Sequence, residues 1–357
     1  MVDGLDLKGL RMAGKRPGRA TIVDVALQAG VSKSLVSLVL NDSPLVRPDK
    51  REAVLTAIEA LDYRPNTAAR ALVQVRTRAV GVILDDLRNP WFLESLRGVN
   101  EVLAENGLHM LLGEQRLGKA GGQSIVSTFL DRNVDGLILA GSMPQTADLE
   151  DAARKVPTVV LSSRNFSLPG VDVVANDDEA GGRMAVEHLI ALGHRRIAHV
   201  AGDSGRVARL REEGYRSTMR AHGLRPAVTR SGNTEEQGHA SGMRLLRQAD
   251  RPTAVFAVND LAAVGVLDAA FELGLSIPGQ LSVVGYDNSF LAGIGHINLT
   301  SVDAAGFGTG VAAGEALVRR IASPEAPGTE TLLAPELVVR RSSAAPEDPE
   351  PAGASAR

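Results

Sequence analysis

Residues 21–41 read TIVDVALQAGVSKSLVSLVLN, and this stretch predicts two short helices with a tight break between them. The hydroxyl of Thr21 can cap the first helix, whose apolar residues recur at helical spacing. Gly30 suits the left-handed conformation that ends many helices, and Ser32 can cap a second apolar helix. Two helices joined by a short glycine-containing turn form a helix-turn-helix, whose second helix fits the major groove of DNA. A helical hairpin inside a larger core is the alternative, and the rest of the chain decides between them.

Length and composition indicate two or three domains. The chain has 357 residues, of which 44% are hydrophobic, and this is enough for substantial cores. It has no cysteine, which excludes disulfides and a cysteine nucleophile and fits a reducing cytosol. No run approaches the ~18 apolar residues that a membrane span needs, and the basic N-terminus lacks the apolar segment of a secretory signal. We therefore expect a cytoplasmic protein without a membrane segment.

Charge is unevenly distributed along the chain. Residues 8–78 carry 13 Lys or Arg against 6 Asp or Glu, although the whole chain has a net charge of −3. A basic head on an acidic body is expected of a protein that binds nucleic acid. Part of the positive charge precedes residue 21, and a solvated tail would account for that part.

Three segments precede the body of the chain. Residues 1–19 lack periodicity and are expected to be disordered. Residues 20–64 predict a bundle of three helices, the third of which has Pro48 in its first turn. The apolar stripe of the third helix comprises Val54, Leu55, Ile58 and Leu61. Residues 65–78 predict a short hinge helix and a basic linker, which need DNA or a partner subunit to become ordered.

From residue 79 onward, short β-rich runs alternate with helical patterns. This alternation predicts mainly parallel sheets with helices on both faces. The series occurs twice, which suggests two similar lobes. Ligands of open parallel sheets bind beyond the carboxyl ends of the strands, so the crevice between the lobes is the expected ligand site. Residues 343–357 are expected to form a disordered tail.

Motifs for catalysis and metal binding are weak. Residues 202–205, GDSG, resemble part of a serine-protease motif, but they follow a strand in an α/β pattern, which favours a strand-to-helix turn. Residues 308–314 do not match the dinucleotide loop GxGxxG and predict the start of a helix with a close-packed face. The histidines are dispersed and lack metal-ligand spacing. We expect no enzymatic activity, no metal and no cofactor.

Polar and aromatic residues follow several predicted strands, where a ligand would bind in this architecture. Trp91 is the only tryptophan, and an exposed indole at a strand end suits a sugar ring or a base. Helix capping is the alternative role for Asn259 and Asp287, and core packing is the alternative for Trp91. The candidates are Asp86, Asn89, Trp91, Phe92, Asn259, Asp260, Asp287 and Asn288.

Together these motifs resemble the lac repressor family of bacterial transcription regulators, which includes the purine and ribose repressors. The resemblance runs from about residue 21 to residue 341. Its most specific stretches are DVALQAGVSKSLVSLVLN, LDYRPNTAARAL, VGVILDDLRNPWF, LGHRRIAHVAG, REEGYR, AVFAVNDLAAVG and IPGQLSVVGYDN. It implies an all-α helix-turn-helix head, a hinge helix, and an α/β two-lobed core like that of periplasmic sugar-binding proteins. Lobe 1 would cover about 79–177 and 303–330, and lobe 2 about 178–302 and 331–342, because the chain crosses between the lobes three times in this family.

The resemblance also implies a function. Members are sequence-specific transcription regulators, mostly repressors, whose affinity for DNA is controlled allosterically by a small polar effector such as a sugar. They act as homodimers on near-palindromic double-stranded operators, and some pair further into tetramers. A solute-binding protein and an enzyme acting in the cleft are the alternatives. The basic head and the missing secretion signal oppose the first, and the missing nucleophile–base set opposes the second.

The family's DNA contacts can be placed on this sequence. Lys33 and Ser34 match the first positions of the recognition helix, where lysine can donate to guanine or to a phosphate. Leu38 stands where the family usually has arginine, so we expect operator preferences that differ from the commonest family half-site. Leu72 matches the leucine that wedges into the minor groove at the operator centre. The predicted DNA-binding residues are Thr21, Ser32, Lys33, Ser34, Ser37, Leu38, Asn41, Asn66, Thr67, Arg70 and Leu72.

The family's effector contacts can be placed in the same way. Arg211 matches an arginine that clamps polar groups of the effector, and Asp287 matches an acidic residue that accepts its hydroxyl groups. Ser163 and Arg164 stand where the family commonly has Asp-Arg, and Thr234 stands where the purine repressor has an aromatic residue, which argues against a purine. The predicted effector-binding residues are Asp86, Asn89, Trp91, Phe92, Asn176, Asp177, Arg211, Asn259, Asp260 and Asp287.

Overall fold

A computed structural model describes residues 20–40, 43, 45–63, 77–115, 124–143, 145–162, 168–203 and 205–347. The chain divides into a head, which ends at residue 77, and a core, which begins at residue 78. Several predicted sites lie outside the described residues: Asn41, Asn66, Thr67, Arg70, Leu72, Ser163 and Arg164. Among the described residues, no single helix is long and apolar enough to cross a membrane.

The head contains the predicted pair of helices, α1 (Ile22–Gln28) and α2 (Lys33–Leu40), followed by α3 (Pro48–Ala60). Thr21 caps α1 reciprocally with Asp24: the Asp24 N–H donates to the Thr21 hydroxyl at 3.4 Å, and the Thr21 N–H donates to the Asp24 carboxylate at 2.7 Å. Gly30 has a φ of 64°, and the next N–H, of Val31, donates back to the Ala26 carbonyl at 3.0 Å. This is the Schellman arrangement that stops a helix. The axes of α1 and α2 differ by 104°, within the ~90–120° of a helix-turn-helix.

The core of the head corrects one sequence prediction. Leu55 is 53% exposed rather than part of the apolar stripe of α3. From Val54, the helical period brings residues 57, 58 and 61 to the same face, whereas residue 55 is turned about 100° away. The buried residues of the head are Val25, Ala26, Val36, Val39, Val46, Val54, Ala57 and Tyr63.

The described core holds two six-stranded sheets, one in each lobe. The lobe 1 sheet has the order β11-β5-β4-β3-β1-β2 and is parallel throughout. Its strands are β1 (Ala79–Leu84), β2 (His109–Glu114), β3 (Gly136–Ala140), β4 (Thr158–Leu161), β5 (Asp172–Asn176) and β11 (Glu330–Leu333). The lobe 2 sheet has the order β12-β10-β9-β8-β6-β7, with only β12 antiparallel. Its strands are β6 (Ile197–Ala201), β7 (Ala227–Arg230), β8 (Ala254–Ala257), β9 (Ser282–Tyr286), β10 (Thr300–Asp303) and β12 (Glu336–Val338).

Helices cover both faces of each sheet, as predicted. They are α4 (Trp91–Glu105), α5 (Ile125–Asp131), α6 (Ala147–Lys155), α7 (Asp178–Ala191), α8 (Arg206–Ala221), α9 (Glu235–Leu246), α10 (Asp260–Glu272) and α11 (Gly306–Ala322). Successive β1 residues serve opposite faces: Val82 joins a core with Val99 of α4, whereas Ile83 joins a core with Phe129 of α5. This alternation follows from the two-residue period of a strand.

Two motif interpretations are confirmed. The described residues of GDSG, Gly202, Asp203 and Gly205, lie between β6 and α8, which is the strand-to-helix connection predicted for the motif. Residues 308–314 lie in α11, which packs closely on α4: a β-carbon at Gly310 would overlap the Ser95 carbonyl oxygen.

The chain crosses between the lobes three times within the described core, after β5, after β10 and after β11. β11 pairs with β5, so lobe 1 extends to residue 333 rather than to about 330. β10 pairs with β9, so lobe 2 extends to residue 303.

The segment directly after residue 342 corrects the predicted tail. Ser343 is buried, and its hydroxyl lies 2.8 Å from that of Thr300. The Ala344 N–H donates to the Ser282 hydroxyl at 3.1 Å, and the Ala344 carbonyl lies 2.9 Å from Nε2 of His194. Residues 343–347 are therefore part of lobe 2, and their predicted disorder is wrong.

Candidate functional site

A pocket lies between the carboxyl ends of the two sheets and opens to solvent; it measures about 500 Å³ with the solvent at its mouth included. Lobe 1 contributes residues that follow β1, β3 and β4, together with the start of α4. Lobe 2 contributes residues that follow β7, β8 and β9, together with the first turns of α8. The lining residues are Asp85, Asn89, Trp91, Phe92, Gly141, Ser142, Ser162, Val207, Ala208, Arg211, Asn233, Val258, Asn259 and Asp287. The pocket therefore lies where the parallel-sheet pattern places a ligand.

Arg211 is the centre of a buried polar cluster on the lobe 2 side of the pocket. From α8, its Nε donates to Asp178 Oδ1 at 2.9 Å, and its Nη1 donates to Asp287 Oδ1 at 3.2 Å and to the Val258 carbonyl at 2.7 Å. The Tyr286 ring centroid lies 3.5 Å from Cζ of Arg211. This flat guanidinium therefore holds the ends of three elements in register, which a lysine could not do.

The cluster contains two carboxylates but one guanidinium, and all three groups are buried. Burial raises the pKa of Asp287 to about 8 despite the attraction of Arg211, because desolvation penalises the charged form. Burial likewise raises the pKa of Asp178. Burial also works against the charge on Arg211, but the attraction of Asp178 and Asp287 outweighs it and raises the arginine pKa.

Asp287 also has an unusual backbone. Its φ of 100° lies in a region that non-glycine residues rarely adopt, and the residue directly follows β9. The Asp287 N–H donates to the Val302 carbonyl at 2.8 Å, which helps to hold this conformation. Strain of this kind clusters at functional sites, and here it accompanies a carboxylate that lines the pocket.

Aromatic residues at the start of α4 form the lobe 1 side. Trp91 and Phe92 line the pocket with ring centroids 5.3 Å apart in an edge-to-face arrangement. The Asn89 side-chain oxygen accepts the Trp91 N–H at 3.0 Å, so Asn89 positions the start of the helix. The indole is only 5% exposed, so the expectation of an exposed platform is wrong even though the residue lines the pocket. The α4 helix packs this indole against the body of lobe 1.

Asn259 caps a helix, as its alternative role predicted, and it also lines the pocket. Its side-chain oxygen accepts the Ala262 N–H at 2.8 Å and thereby caps α10. Its amide donates to the Asn233 carbonyl at 2.9 Å, and both residues line the pocket.

Four predicted effector residues are not among the lining residues. The Asp86 carboxylate pairs with Arg88 at 2.9 Å. Asp177 caps α7 by accepting the Ala180 N–H at 3.0 Å. Asp260 is buried and accepts hydrogen bonds from Ser289 and Ser301.

Asn176 is the fourth of these residues, and it joins two crossings between the lobes. Its amide donates to the Ala304 carbonyl and, at 3.1 Å, to the Thr309 hydroxyl. It therefore links the end of β5 to the segment between β10 and α11. Thr234, noted at the position of a purine-repressor aromatic residue, caps α9 and is not a lining residue.

Sequence reasoning missed several lining residues that obey the same strand-end rule. Asp85, Ser142, Ser162 and Asn233 come one to three residues after β1, β3, β4 and β7, so applying the rule to every strand would have found them. Asp85 accepts the Ser142 N–H at 2.8 Å and joins two of these strand ends. Val207 and Ala208 are apolar residues of α8 and carry no such signal.

The two lobes also meet beside the pocket. A β-carbon at Gly205, which has a φ of 90°, would lie 2.9 Å from Cβ of Ser142 in the opposite lobe. Glycine is therefore required both by the backbone conformation and by the approach of lobe 1.

The head presents a polar surface along the recognition helix α2. Lys33, Ser34 and Leu38 are exposed, and Leu38 is 41% exposed. Ser32 is exposed and accepts the Leu35 N–H at 3.2 Å, Ser37 is partly buried, and Thr21 is exposed at the start of α1. All six described candidates thus have some solvent access, which a DNA contact needs.

Comparisons with known proteins agree with this architecture. Residues 21–66 match the family model described as bacterial regulatory proteins, lacI family, and residues 186–343 match that of a periplasmic binding protein-like domain. The chain is 34% identical over 334 residues to the ribose operon repressor of Escherichia coli K12, which covers 90% of this chain and 99% of that protein. The lac repressor dimer bound to operator and the anti-inducer ONPF superposes with a TM-score of 0.81 at 28% identity, covering 92% of this chain and all of the other. A ribose-bound family regulator from Enterococcus faecium has a TM-score of 0.69 at 28% identity over 75% of this chain and 99% of that chain.

The two-domain fold and the interlobe pocket are those of a DNA-binding regulator with a periplasmic-binding-protein-like effector core. The chain belongs to the lacI family of bacterial regulatory proteins. It is a transcriptional repressor with a helix-turn-helix DNA-binding domain.

Proposed function

We propose that a small uncharged polyhydroxy compound, such as a sugar, binds the interlobe pocket and controls the affinity of the head for its operator. The observation that carries this proposal is the pairing of aromatic and polar groups across the pocket: Trp91 and Phe92 from lobe 1 face a wall with Arg211 and Asp287 from lobe 2. A sugar has apolar ring faces, which suit the aromatic side of the pocket, and hydroxyl edges, which suit its polar side. The bound ribose in the Enterococcus faecium relative supports the same class.

The effector would act by selecting one arrangement of the two lobes. It touches both lobes, so its affinity differs between arrangements that bring the strand ends together and arrangements that part them. Asn176 links two of the segments that cross between the lobes, and it would transmit this change from one crossing to the other. A typical coupling of about 1–3 kcal/mol would change operator affinity roughly 5- to 150-fold. The sign depends on which arrangement the effector prefers.

The head would read a near-palindromic operator as one of a pair. Lys33 and Ser34 would contact bases or phosphates from the start of α2, and Leu38 would contact a thymine methyl group or the neighbouring head. Asn41, Thr21, Ser32 and Ser37 would contact the phosphate backbone of the DNA. Asn66, Thr67, Arg70 and Leu72 lie outside the described residues, and their roles in a minor-groove hinge helix stay predictions.

We propose a cytoplasmic homodimer without enzymatic activity. Large apolar side chains are exposed on lobe 2, including Phe271 at 82% and Phe290 at 62%. Exposed aromatic residues of this kind are typical of surfaces that a partner covers. Phe271→Asp should therefore weaken self-association in sedimentation velocity, whereas the exposed Glu325→Asp control should not. An unchanged dimer in Phe271→Asp would remove this face from the interface.

The proposal is tested with the full-length protein and a panel of ribose, arabinose, xylose, glucose, cellobiose, ribitol and inosine. Trp91 is the only tryptophan and lines the pocket, so its fluorescence should change when a panel member binds. We expect at least one sugar or polyol to bind and to change operator affinity in fluorescence anisotropy. Binding of inosine alone, or turnover of any bound compound, would contradict the proposed class.

A further inference from the structure

Asp178 is the carboxylate of the Arg211 cluster that was not among the predicted effector-binding residues. It is the first residue of α7, directly after the first crossing between the lobes, and it is 3% exposed. It does not line the pocket, yet it holds Nε of Arg211 at 2.9 Å. Asp287 holds Nη1 of the same guanidinium at 3.2 Å and does line the pocket. The Arg211 guanidinium is therefore shared between Asp178, which does not line the pocket, and Asp287, which does.

The charge balance of this cluster favours one bound proton. With both carboxylates ionised, one guanidinium would leave a buried net charge of −1, whose desolvation is costly. Asp177 raises the pKa of Asp178 and Asp260 raises that of Asp287, whereas a hydrogen bond from Tyr286 lowers the pKa of Asp178. In the described part of the chain, Arg211 is the cation that acts most strongly on both carboxylates. Two carboxylates in one site then titrate apart, and one stays protonated near neutral pH.

Asp287 is the carboxylate that a ligand can reach. Its Oδ1 accepts the Arg211 hydrogen bond, and its Oδ2 accepts none from the described residues. A hydroxyl donating to this carboxylate stabilises the ionised form, so binding lowers the proton affinity of the cluster.

We propose that the Asp178–Arg211–Asp287 cluster holds one proton before effector binds and releases it to solvent when an effector hydroxyl donates to Asp287, so that Asp178 makes effector affinity depend on pH. This inference rests on the proposed role of the pocket as an effector site. Asp178 is here a positioning residue, because it acts through Arg211 and does not line the pocket. The sign is fixed: each proton released makes binding tighter as pH rises, by up to tenfold per pH unit, until the cluster is ionised before binding.

The first test measures binding of the sugar or polyol from the panel that binds most tightly. Wild-type affinity should rise between pH 6 and pH 8 by several-fold to tenfold per unit, and calorimetry in phosphate and in Tris should reveal release of up to one proton. Asp178→Asn leaves one carboxylate for one guanidinium, so its affinity should be nearly independent of pH and its proton release close to zero. Asp268→Asn, an exposed carboxylate of α10 in the same lobe, is the matched control and should behave as wild type. Equal pH slopes in wild type and Asp178→Asn would overturn the inference.

The second test needs no effector and therefore separates this inference from the proposed function. Burial raises the pKa of Asp287 to about 8 in the folded protein, whereas the unfolded chain has a pKa of about 4. Protonated Asp287 therefore contributes to stability in full below pH 4, and this contribution is lost as pH rises to 8. The folding equilibrium constant of wild type relative to Asp178→Asn should thus fall by up to tenfold per pH unit between pH 5 and pH 7.5. Asp287→Asn provides a second variant that also leaves one carboxylate, and it should show the same relative trend. A flat ratio for both variants would overturn the inference, whereas failure of every panel member to bind would count against the proposed function instead.

Discussion

At the scale of single residues, Arg211 shows what the sequence reveals and what it hides. The family resemblance indicates an arginine at the ligand site, and the structure places Arg211 in the pocket lining. Its partner Asp178 comes two residues after β5, where Asp177, Asp178 and Glu179 are three successive acids and only packing selects the one that turns inward. A periodic pattern predicts which face a residue occupies, but it does not predict a bond to a residue 33 positions away.

Arg211→Ala should remove the effector response while leaving operator affinity largely intact, because the head does not contain this residue. It should also lower the free energy of unfolding by about 3–5 kcal/mol, since it leaves two buried carboxylates without their cation. Chemical denaturation and anisotropy measure the two effects. Arg216→Ala, on the same helix in a partly exposed pair with Glu212, is the control and should cost no more than about 1 kcal/mol. An effector response that survives in Arg211→Ala would exclude the arginine from the mechanism.

Leu38→Arg should change the base preference within each operator half-site. Leucine can touch a thymine methyl group, whereas arginine can donate twice to guanine, a difference of about 1–3 kcal/mol at one base pair. Selection of DNA sites from a random library measures the preference. Leu27→Arg adds the same charge at a 77% exposed position of α1 and should leave the selected motif unchanged. If Leu38→Arg selects the wild-type motif, residue 38 does not read bases.

At the scale of elements, period and turn chemistry predict most of the fold. The strands and helices of the core lie within a few residues of their predicted positions because apolar runs and caps mark them locally. What the sequence leaves open is decided by pairing over long distances. β11 pairs with β5, 157 positions away, and Ala344 bonds to Ser282, so the predicted lobe boundary and the predicted start of the tail are wrong.

Gly310→Ala should lower the free energy of unfolding by about 1–3 kcal/mol, because the added methyl group meets the Ser95 backbone and forces α11 away from α4. The start of α4 carries Trp91 and Phe92, so effector affinity should fall as well. Gly308→Ala lies in the same helix and meets only Leu333 Cδ2 at 3.5 Å. It should be neutral or stabilising by about 0.5–1 kcal/mol. Equal changes in melting temperature for the two substitutions would show that the close α4–α11 contact does not determine the cost of Gly310→Ala.

At the scale of the whole molecule, the head and the core are separate units with complementary tasks. The head offers an exposed recognition helix, and the core offers a pocket lined by both lobes. The charge distribution predicted DNA binding by the head, and the strand-end residues predicted effector binding by the core. Both features can be recognised from short stretches of sequence. The coupling between them depends on how the lobes rearrange, which no local pattern encodes.

The central claim is that an effector in the pocket changes operator affinity. The most direct measurement selects genomic DNA sites with the full-length protein and then titrates the best site by anisotropy, with and without the tightest-binding sugar or polyol. We predict a near-palindromic site whose dissociation constant changes roughly 5- to 150-fold on effector binding. An enriched site whose affinity is the same with and without bound effector, or no enriched site at all, would contradict the account.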